Sequence, residues 1–377
     1  MRINCIEAIP VAYPEPNDCN AERHLCLVRM QADDGQLGWG ESITQFAEAS
    51  LATKAIIEGM APLLIGKDPV HTDSLWRSLK QHSWWYGNNS GIACFAIAAL
   101  DIALWDLKGK ALGASVLDLL GGPVHARLPA IASAHAFKPG IQEMADDAAD
   151  WMGRGLQGVK VGFGKKGDAH LGYRHDRDIA FVKAVREAIG SGPDLMIDLG
   201  VKVYWDLSTA IRRVRAMEEF GLAWIEEPLG PRDAAGYGVL RNAVTTKIAY
   251  GEREWNLDGY QRILDSGTVD VVGVDPGRAE GITGFRQICE RIEVARRQAN
   301  AHAWSSAIIS AASLAVSFAS PACRLFEVKP LRNPMQHDLV ATPIEPVAGW
   351  MRPLTGPGLG IEVLEDVVDR YRLDHSV

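Results

Sequence analysis

The spacing of apolar residues changes period twice along the chain. In HLCLVRMQADDGQLGWGES (24–42) apolar positions recur near every second residue on either side of Asp34-Gly35. That alternation predicts two strands around a tight turn, because a strand sends successive side chains to opposite faces and Asp-Gly suits a short hairpin. From about Glu48 the spacing becomes helical. In GIACFAIAALDIALWDLKGKALG, Leu100, Ala103, Leu104, Leu107 and Ala111 fall at i, i+3, i+4, i+7 and i+11, one face of a long buried helix. Gly121-Gly122-Pro123 then breaks the pattern.

After Leu128 the rhythm changes again. Short apolar runs recur with helix-like stretches between them: PAIASAHA, LQGVKVG, LMIDLG, LAWIEEP, KIAYGE, VDVVGVDP, ANAHAW and RLFEV. Strands separated by helical stretches imply parallel pairing, since a parallel pair needs a long crossover. Eight such units predict an α/β chain with a closed TIM-like barrel. The expected division is an N-terminal α+β domain over 1–125, a barrel over 126–335, and a segment over 336–377 that returns to the N-terminal domain.

Length and charge narrow the function. A chain of 377 residues accommodates a barrel of about 200–250 residues plus a smaller domain. The formal net charge of −8 excludes a nucleic-acid binder, which needs a basic face. It also means that an anionic substrate must be attracted by local cations or a metal. The cysteines Cys5, Cys19, Cys26, Cys94, Cys289 and Cys323 form no CxxC pair and read as reduced packing residues. No signal peptide is visible in MRINCIEAIPVAYPEPN, and IISAASLAVSFAS (308–320) is too short to cross a membrane. We expect a cytoplasmic homo-oligomer with a small-molecule hydroxy acid as its partner and no nucleic acid or membrane.

Three acids end successive strands: Asp198 after Leu195-Met196-Ile197, Glu226 after Leu222-Ala223-Trp224-Ile225, and Glu252 after Ile248-Ala249-Tyr250-Gly251. Parallel strands of a barrel end on one rim, so these carboxylates converge there. A single acid after a strand could simply cap the next helix. Three in register, mutually repelling, point instead to a hard divalent cation such as Mg²⁺. The next two strands end in Asp275 and His302. A lone histidine is commonly structural, but a carboxylate beside it fixes its tautomer and raises the basicity of the outer nitrogen, which builds a general base. Lys160, in Gly158-Val159-Lys160-Val161-Gly162, reads either as a rim cation for a substrate carboxylate or as a surface lysine with a buried stem.

These residues resemble the enolase superfamily, and within it the mandelate racemase-like subgroup. ALDIALWDLKGKALG with the following LLGG looks like the N-terminal signature; DLG, WIEEP, YGE, VDP and NAHAW stand at the metal and catalytic positions; PGLGIEV looks like the C-terminal segment. The resemblance implies a (β/α)7β barrel under an α+β capping domain built from both termini. It implies Asp198, Glu226 and Glu252 as Mg²⁺ ligands, His302 with Asp275 as the base dyad, Lys160 as the first lysine of the second strand, and Glu327 as the acid that hydrogen-bonds the enolate oxygen. The superfamily uses a Lys or His base with Mg²⁺ to stabilise an ene-diolate. The implied activity is removal of the proton next to a carboxylate and loss of water, turning an aldonate or aldarate into a 2-keto-3-deoxy acid. Racemisation or epimerisation, cycloisomerisation, and a non-catalytic relative are the alternatives.

Two positions depart from the subgroup. Gly162 stands where a second lysine is frequent, and Gly200 where an asparagine is frequent, with Lys165, Lys166 and Tyr204 nearby as substitutes. A missing second base predicts a one-base reaction, hence dehydration of a single C2 configuration. Gly162-Phe163-Gly164-Lys165-Lys166-Gly167 also matches the dinucleotide fingerprint GxGxxG, which requires a helix to open directly after it. DAHLGYRHD intervenes, which argues against a nicotinamide-dependent dehydrogenase.

Overall fold

The N-terminal alternation forms a three-stranded antiparallel sheet in the order β1 (Ile3–Glu15), β2 (Ala21–Ala32), β3 (Leu37–Gln45). The protein is seen here in a computed structural model that describes residues 1–87, 91–200, 203–302 and 304–373. Ala303 of the NAHAW motif and residues 374–377 of the tail lie outside the described residues. The hairpin expected at Asp34-Gly35 joins β2 to β3. By contrast, β1 was not expected: Pro10 and Pro14 interrupt its pattern. They are accommodated because β1 is an edge strand, where a missing N–H costs no ladder bond.

Three helices cover the sheet: α1 (Ala47–Met60), α2 (Thr72–His82) and α3 (Ile92–Leu112). The expected long buried helix is α3, and it is buried on nearly every side. It lies so close to β3 that a Cβ on Gly40 would stand 1.9 Å from the carbonyl oxygen of Ala99. A single turn, α4 (Val116–Leu119), is capped by the Ser115 hydroxyl.

All eight expected apolar runs become strands: β4 (Leu128–His135), β5 (Gly158–Phe163), β6 (Asp194–Leu199), β7 (Trp224–Glu226), β8 (Ile248–Tyr250), β9 (Val271–Val274), β10 (Gln298–Ala301) and β11 (Phe326–Val328). They pair in parallel in the order β10-β9-β8-β7-β6-β5-β4-β11, and a bridge from Ala299 to Cys323 brings the ends of the ring together. Seven helices alternate with them: α5 (Ile141–Gly153), α6 (His175–Ile189), α7 (Leu207–Met217), α8 (Ala234–Ala243), α9 (Leu257–Asp265), α10 (Gly281–Val294) and α11 (Ala307–Ala319). This is the (β/α)7β barrel. The C-terminal segment adds β12 (Trp350–Met351) antiparallel to β4, then α12 (Glu365–Tyr371), after which Arg372 bridges Val11 of β1.

Buried polar groups lock the two parts together. Glu41 of β3 accepts from the Ser305 and Ser306 hydroxyls and from the Ser306 and Ile309 amides at the start of α11. Burial pushes its carboxyl up to about 7 against those hydrogen bonds. Glu15, at the end of β1, accepts from the Asn17 amide at 2.9 Å and from Lys329 Nζ at 2.6 Å, just past β11. Burial alone would raise its pKa, but the Lys329 ammonium and the amide donors outweigh it and hold the carboxyl at about 2.

Breaking a buried pair leaves an uncompensated charge, whereas replacing both partners does not. Glu15→Gln is expected to destabilise the fold by about 3–5 kcal/mol in urea unfolding. The double variant Glu15→Gln/Lys329→Met is expected to recover more than half of that loss; a double variant no more stable than the single one would contradict the pairing.

Candidate active site

The register of the barrel strands sets the site. Gly162 of β5, Asp198 of β6 and Glu226 of β7 form one cross-strand row. Glu252 follows β8, Asp275 follows β9, and His302 follows β10, its backbone N–H donating to the Val274 carbonyl at 2.9 Å. The three expected metal ligands and the expected dyad therefore share one rim.

His302 Nδ1 lies 2.6 Å from Asp275 Oδ2, and the other Asp275 oxygen accepts the Gly277 amide at 2.7 Å. The carboxylate is thus fixed before it orients the ring. His302 Nε2 is 3.7 Å from Glu252 Oε2. Burial works against protonation of the ring, but Glu252 and Asp275 outweigh it and raise its pKa. Lys160 Nζ stands 2.9 Å from Glu226 and 2.7 Å from Glu327, and Lys165 Nζ stands 3.3 Å from Asp198.

A cavity of about 200 Å³ opens above this row. Lys160, Lys165, Asp198, Glu252, Asp275 and His302 line it from the barrel, and Asp18, Arg23 and Gln45 from the capping domain. Glu327 is buried beside the wall of this cavity, 2.7 Å from Lys160 Nζ. Its position mid-strand in β11 points it under Lys160, where it also accepts from Asn300 Nδ2 at 2.6 Å. Glu226 is likewise buried against Lys160.

The donor set is tested by its own electrostatics. Burial, together with Asp198, Glu327 and Glu252, drives the Glu226 carboxyl up to about 7 in spite of Lys160. Neighbouring Glu227 is raised well above the carboxylate range by burial and by Glu252, against Arg253. Carboxylates that penalise one another's charge in a buried row are the arrangement a hard, oxygen-preferring divalent ion relieves. Among the described residues no three acids or histidines already stand at metal-ligand spacing. Asp198, Glu226 and Glu252 are each turned toward a basic neighbour. Asp198, Glu226 and Glu252 are the residues that would hold the ion.

Several lining residues escaped the sequence reading. His135 ends β4 with its ring stacked on Trp304 at 4.2 Å and Nδ1 3.3 Å from Asp18. Burial lowers its pKa to about 4 although Asp18 opposes this, so it is neutral at physiological pH. Arg23 donates to the Trp304 carbonyl at 3.2 Å and lies over the indole. His135 falls at a strand end like the assigned residues, which was the available signal. Asp18 and Arg23 come from the capping domain, and no spacing in the chain connects them to the rim. Of the three suggested substitutes for the missing lysine, Lys166 reaches Asp18 and Tyr204 accepts from Arg253, leaving Lys165 at the carboxylates. The GxGxxG stretch opens no helix, since α6 begins only at His175.

Residues 17–121 match the mandelate racemase / muconate lactonizing enzyme N-terminal domain, and residues 143–367 match the enolase C-terminal domain-like family. The chain is similar to the D-galactarolactone cycloisomerase of Agrobacterium fabrum, 28% identical over 92% of this chain and 91% of that protein. It is similar to the D-galactonate dehydratase of Xanthomonas oryzae pv. oryzae, 30% identical over 93% and 91% of the two chains. In structure it resembles the 3,6-anhydro-D-galactonate cycloisomerase of Zobellia galactanivorans, with a TM-score of 0.89 at 28% identity, covering 99% of this chain and 100% of that one.

A ligand that binds only the native state raises its stability by mass action, about 2.7 kcal/mol at one hundred times its Kd. Mg²⁺ is expected to raise the melting temperature and EDTA to reverse the gain, with Glu226→Gln giving a smaller rise. An identical rise in wild type and Glu226→Gln would contradict the assigned ligands.

Proposed function

The chain belongs to the mandelate racemase/muconate lactonizing enzyme branch of the enolase superfamily, and we propose that it is a sugar-acid dehydratase that removes the C2 proton of an aldonate or aldarate and expels the C3 hydroxyl. The observation that carries this reading is the His302–Asp275 dyad, set at 2.6 Å and facing a cavity that also holds Asp198, Glu252 and Lys160.

With Asp275 accepting from Nδ1, the Nε2 lone pair of His302 is the one free to take a proton. Lys160 keeps its charge: burial opposes it, but Glu226 and Glu327, with Asp198 and Glu252, raise its pKa well above the ordinary lysine value. It therefore supplies fixed positive charge near the substrate carboxylate and not a second base. Glu327 holds Lys160 in place from below. Mg²⁺, when bound by Asp198, Glu226 and Glu252, supplies Lewis-acid polarisation of the substrate carboxylate.

His302 takes the proton from C2, and the C3–O bond then breaks as the imidazolium returns that proton to the departing hydroxyl. Water leaves, and the enol tautomerises to a 2-keto-3-deoxy acid. Gly162 offers no base on the opposite face, so one C2 configuration reacts. Cycloisomerisation is the second reading, favoured by the two similar proteins that carry that name; it conserves mass where dehydration loses one water.

A library of sugar acids incubated with Mg²⁺ is expected to yield a 2-keto acid of substrate mass less water, from one C2 epimer only. His302→Asn should lower kcat by about 10²–10⁴-fold, the usual worth of a general base. Near-normal turnover in His302→Asn, or interconversion of the epimers, would defeat the one-base dehydration; a product of unchanged mass would favour cycloisomerisation.

A further inference from the structure

Both departures from the subgroup pattern border one side chain, that of Lys165. After β5 the chain turns at Gly164, where φ is +65° and a Cβ would strike Val203 Cγ2 at 2.2 Å. The turn sends Lys165 back over the ends of β5 and β6. Its side chain then runs through room left by the two glycines. A Cβ on Gly162 would stand 2.6 Å from Lys165 Cε, and one on Gly200 would stand 2.9 Å from its Cδ. A side chain at 162 therefore requires Lys165 to move, and one at 200 would also meet the Phe163 carbonyl oxygen at 2.8 Å. The ammonium emerges 3.3 Å from Asp198, on the wall of the cavity that His302 faces.

Of the other cations lining that cavity, Lys166 turns to Asp18 of the capping domain at 3.6 Å, away from the barrel carboxylates, and the rest are more fully engaged. Lys160 is buried between two carboxylates. Arg23 is held by Trp304 and Asp18. Arg278 lies over the Phe95 and Trp255 rings. A lysine carries three N–H donors, and Lys165 has one carboxylate partner and a partly exposed side chain. It stands at the β5–β6 end of the carboxylate row, with His302 at the β10 end.

We propose that Lys165, threaded between Gly162 and Gly200, is a substrate-anchoring residue whose ammonium binds an anionic oxygen of the hydroxy acid at the end of the site remote from His302. The inference rests on the hydroxy-acid reading above. The two glycines are then the space that admits Lys165 to the cavity wall, where it binds substrate and leaves the one-base reaction above unchanged. This also gives a chain of net charge −8 a local cation for an anionic substrate.

The test is calorimetric binding of D-galactonate, D-gluconate and oxalate at saturating Mg²⁺, with Mg²⁺ affinity measured separately in each variant. Lys165→Met is expected to weaken binding of whichever of these anions the wild type binds by about 10- to 100-fold, the worth of one charge-assisted hydrogen bond. Gly162→Ala pushes aside only the end of a flexible side chain and the edge of His135, so it should fold and show the same defect. The double variant should be no worse than either single one, because both changes remove the same contact. Lys165→Arg should regain part of the affinity. Undiminished binding in Lys165→Met, or fully additive losses in the double variant, would overturn the anchor alone. A wild-type protein that binds none of the three anions at saturating Mg²⁺ would overturn the hydroxy-acid reading together with it.

Discussion

Negative charge buried in a row is the constraint on which this molecule turns. Parallel strands of a barrel end on one rim, and here four carboxylates, Asp198, Glu226, Glu227 and Glu252, are carried to adjacent strand ends. Their repulsion is visible in Glu226, raised by burial and by Asp198, Glu327 and Glu252, and in Glu227, raised by burial and by Glu252, Asp198 and Glu226. Basic groups at the rim are drawn into the balance: Lys160 onto Glu226, Lys165 onto Asp198, Arg253 onto Glu227, and His302 toward Glu252. Such a concentration of acids destabilises a fold unless a function retains it, and a divalent ion with an anionic substrate is the chemistry it suits.

The capping domain completes what the barrel begins. Its sheet contributes Glu41, which holds the start of α11, and Glu15, which pairs with Lys329 beyond β11. Between these two anchor points lies Trp304, braced by Arg23 from above and stacked on His135. The cavity is therefore roofed by a polar lattice belonging to both parts.

What the sequence disclosed follows from periodicity. Barrel strands are short apolar runs at regular intervals, so all eight could be read, and their terminal acids were read with them because topology alone brings strand ends together. Where the signal was local but broken, as in β1 with its two prolines, the strand was missed. The long buried helix α3 was legible from its run of apolar residues, although a helix buried on nearly every side has no solvent face to mark its period. Contacts made across domains left no trace in spacing, which is why Asp18 and Arg23 were invisible. The pairing of Glu327 with Lys160 had no signal in spacing, since the two residues stand on β11 and β5. Gly162 and Gly200 were legible only as missing side chains; that the space between them is filled by Lys165 is a fact of three dimensions.

Anomalous diffraction from crystals grown with Mn²⁺, a close substitute for Mg²⁺ at oxygen sites, tests the assignment of the rim most directly. The account predicts one strong anomalous peak per chain at the barrel rim, with a carboxylate oxygen from each of Asp198, Glu226 and Glu252 as ligands and Lys165 turned from Asp198 toward the cavity. A peak elsewhere, or a rim in which those carboxylates keep Lys160, Lys165 and His302 as their partners at saturating Mn²⁺, would contradict it.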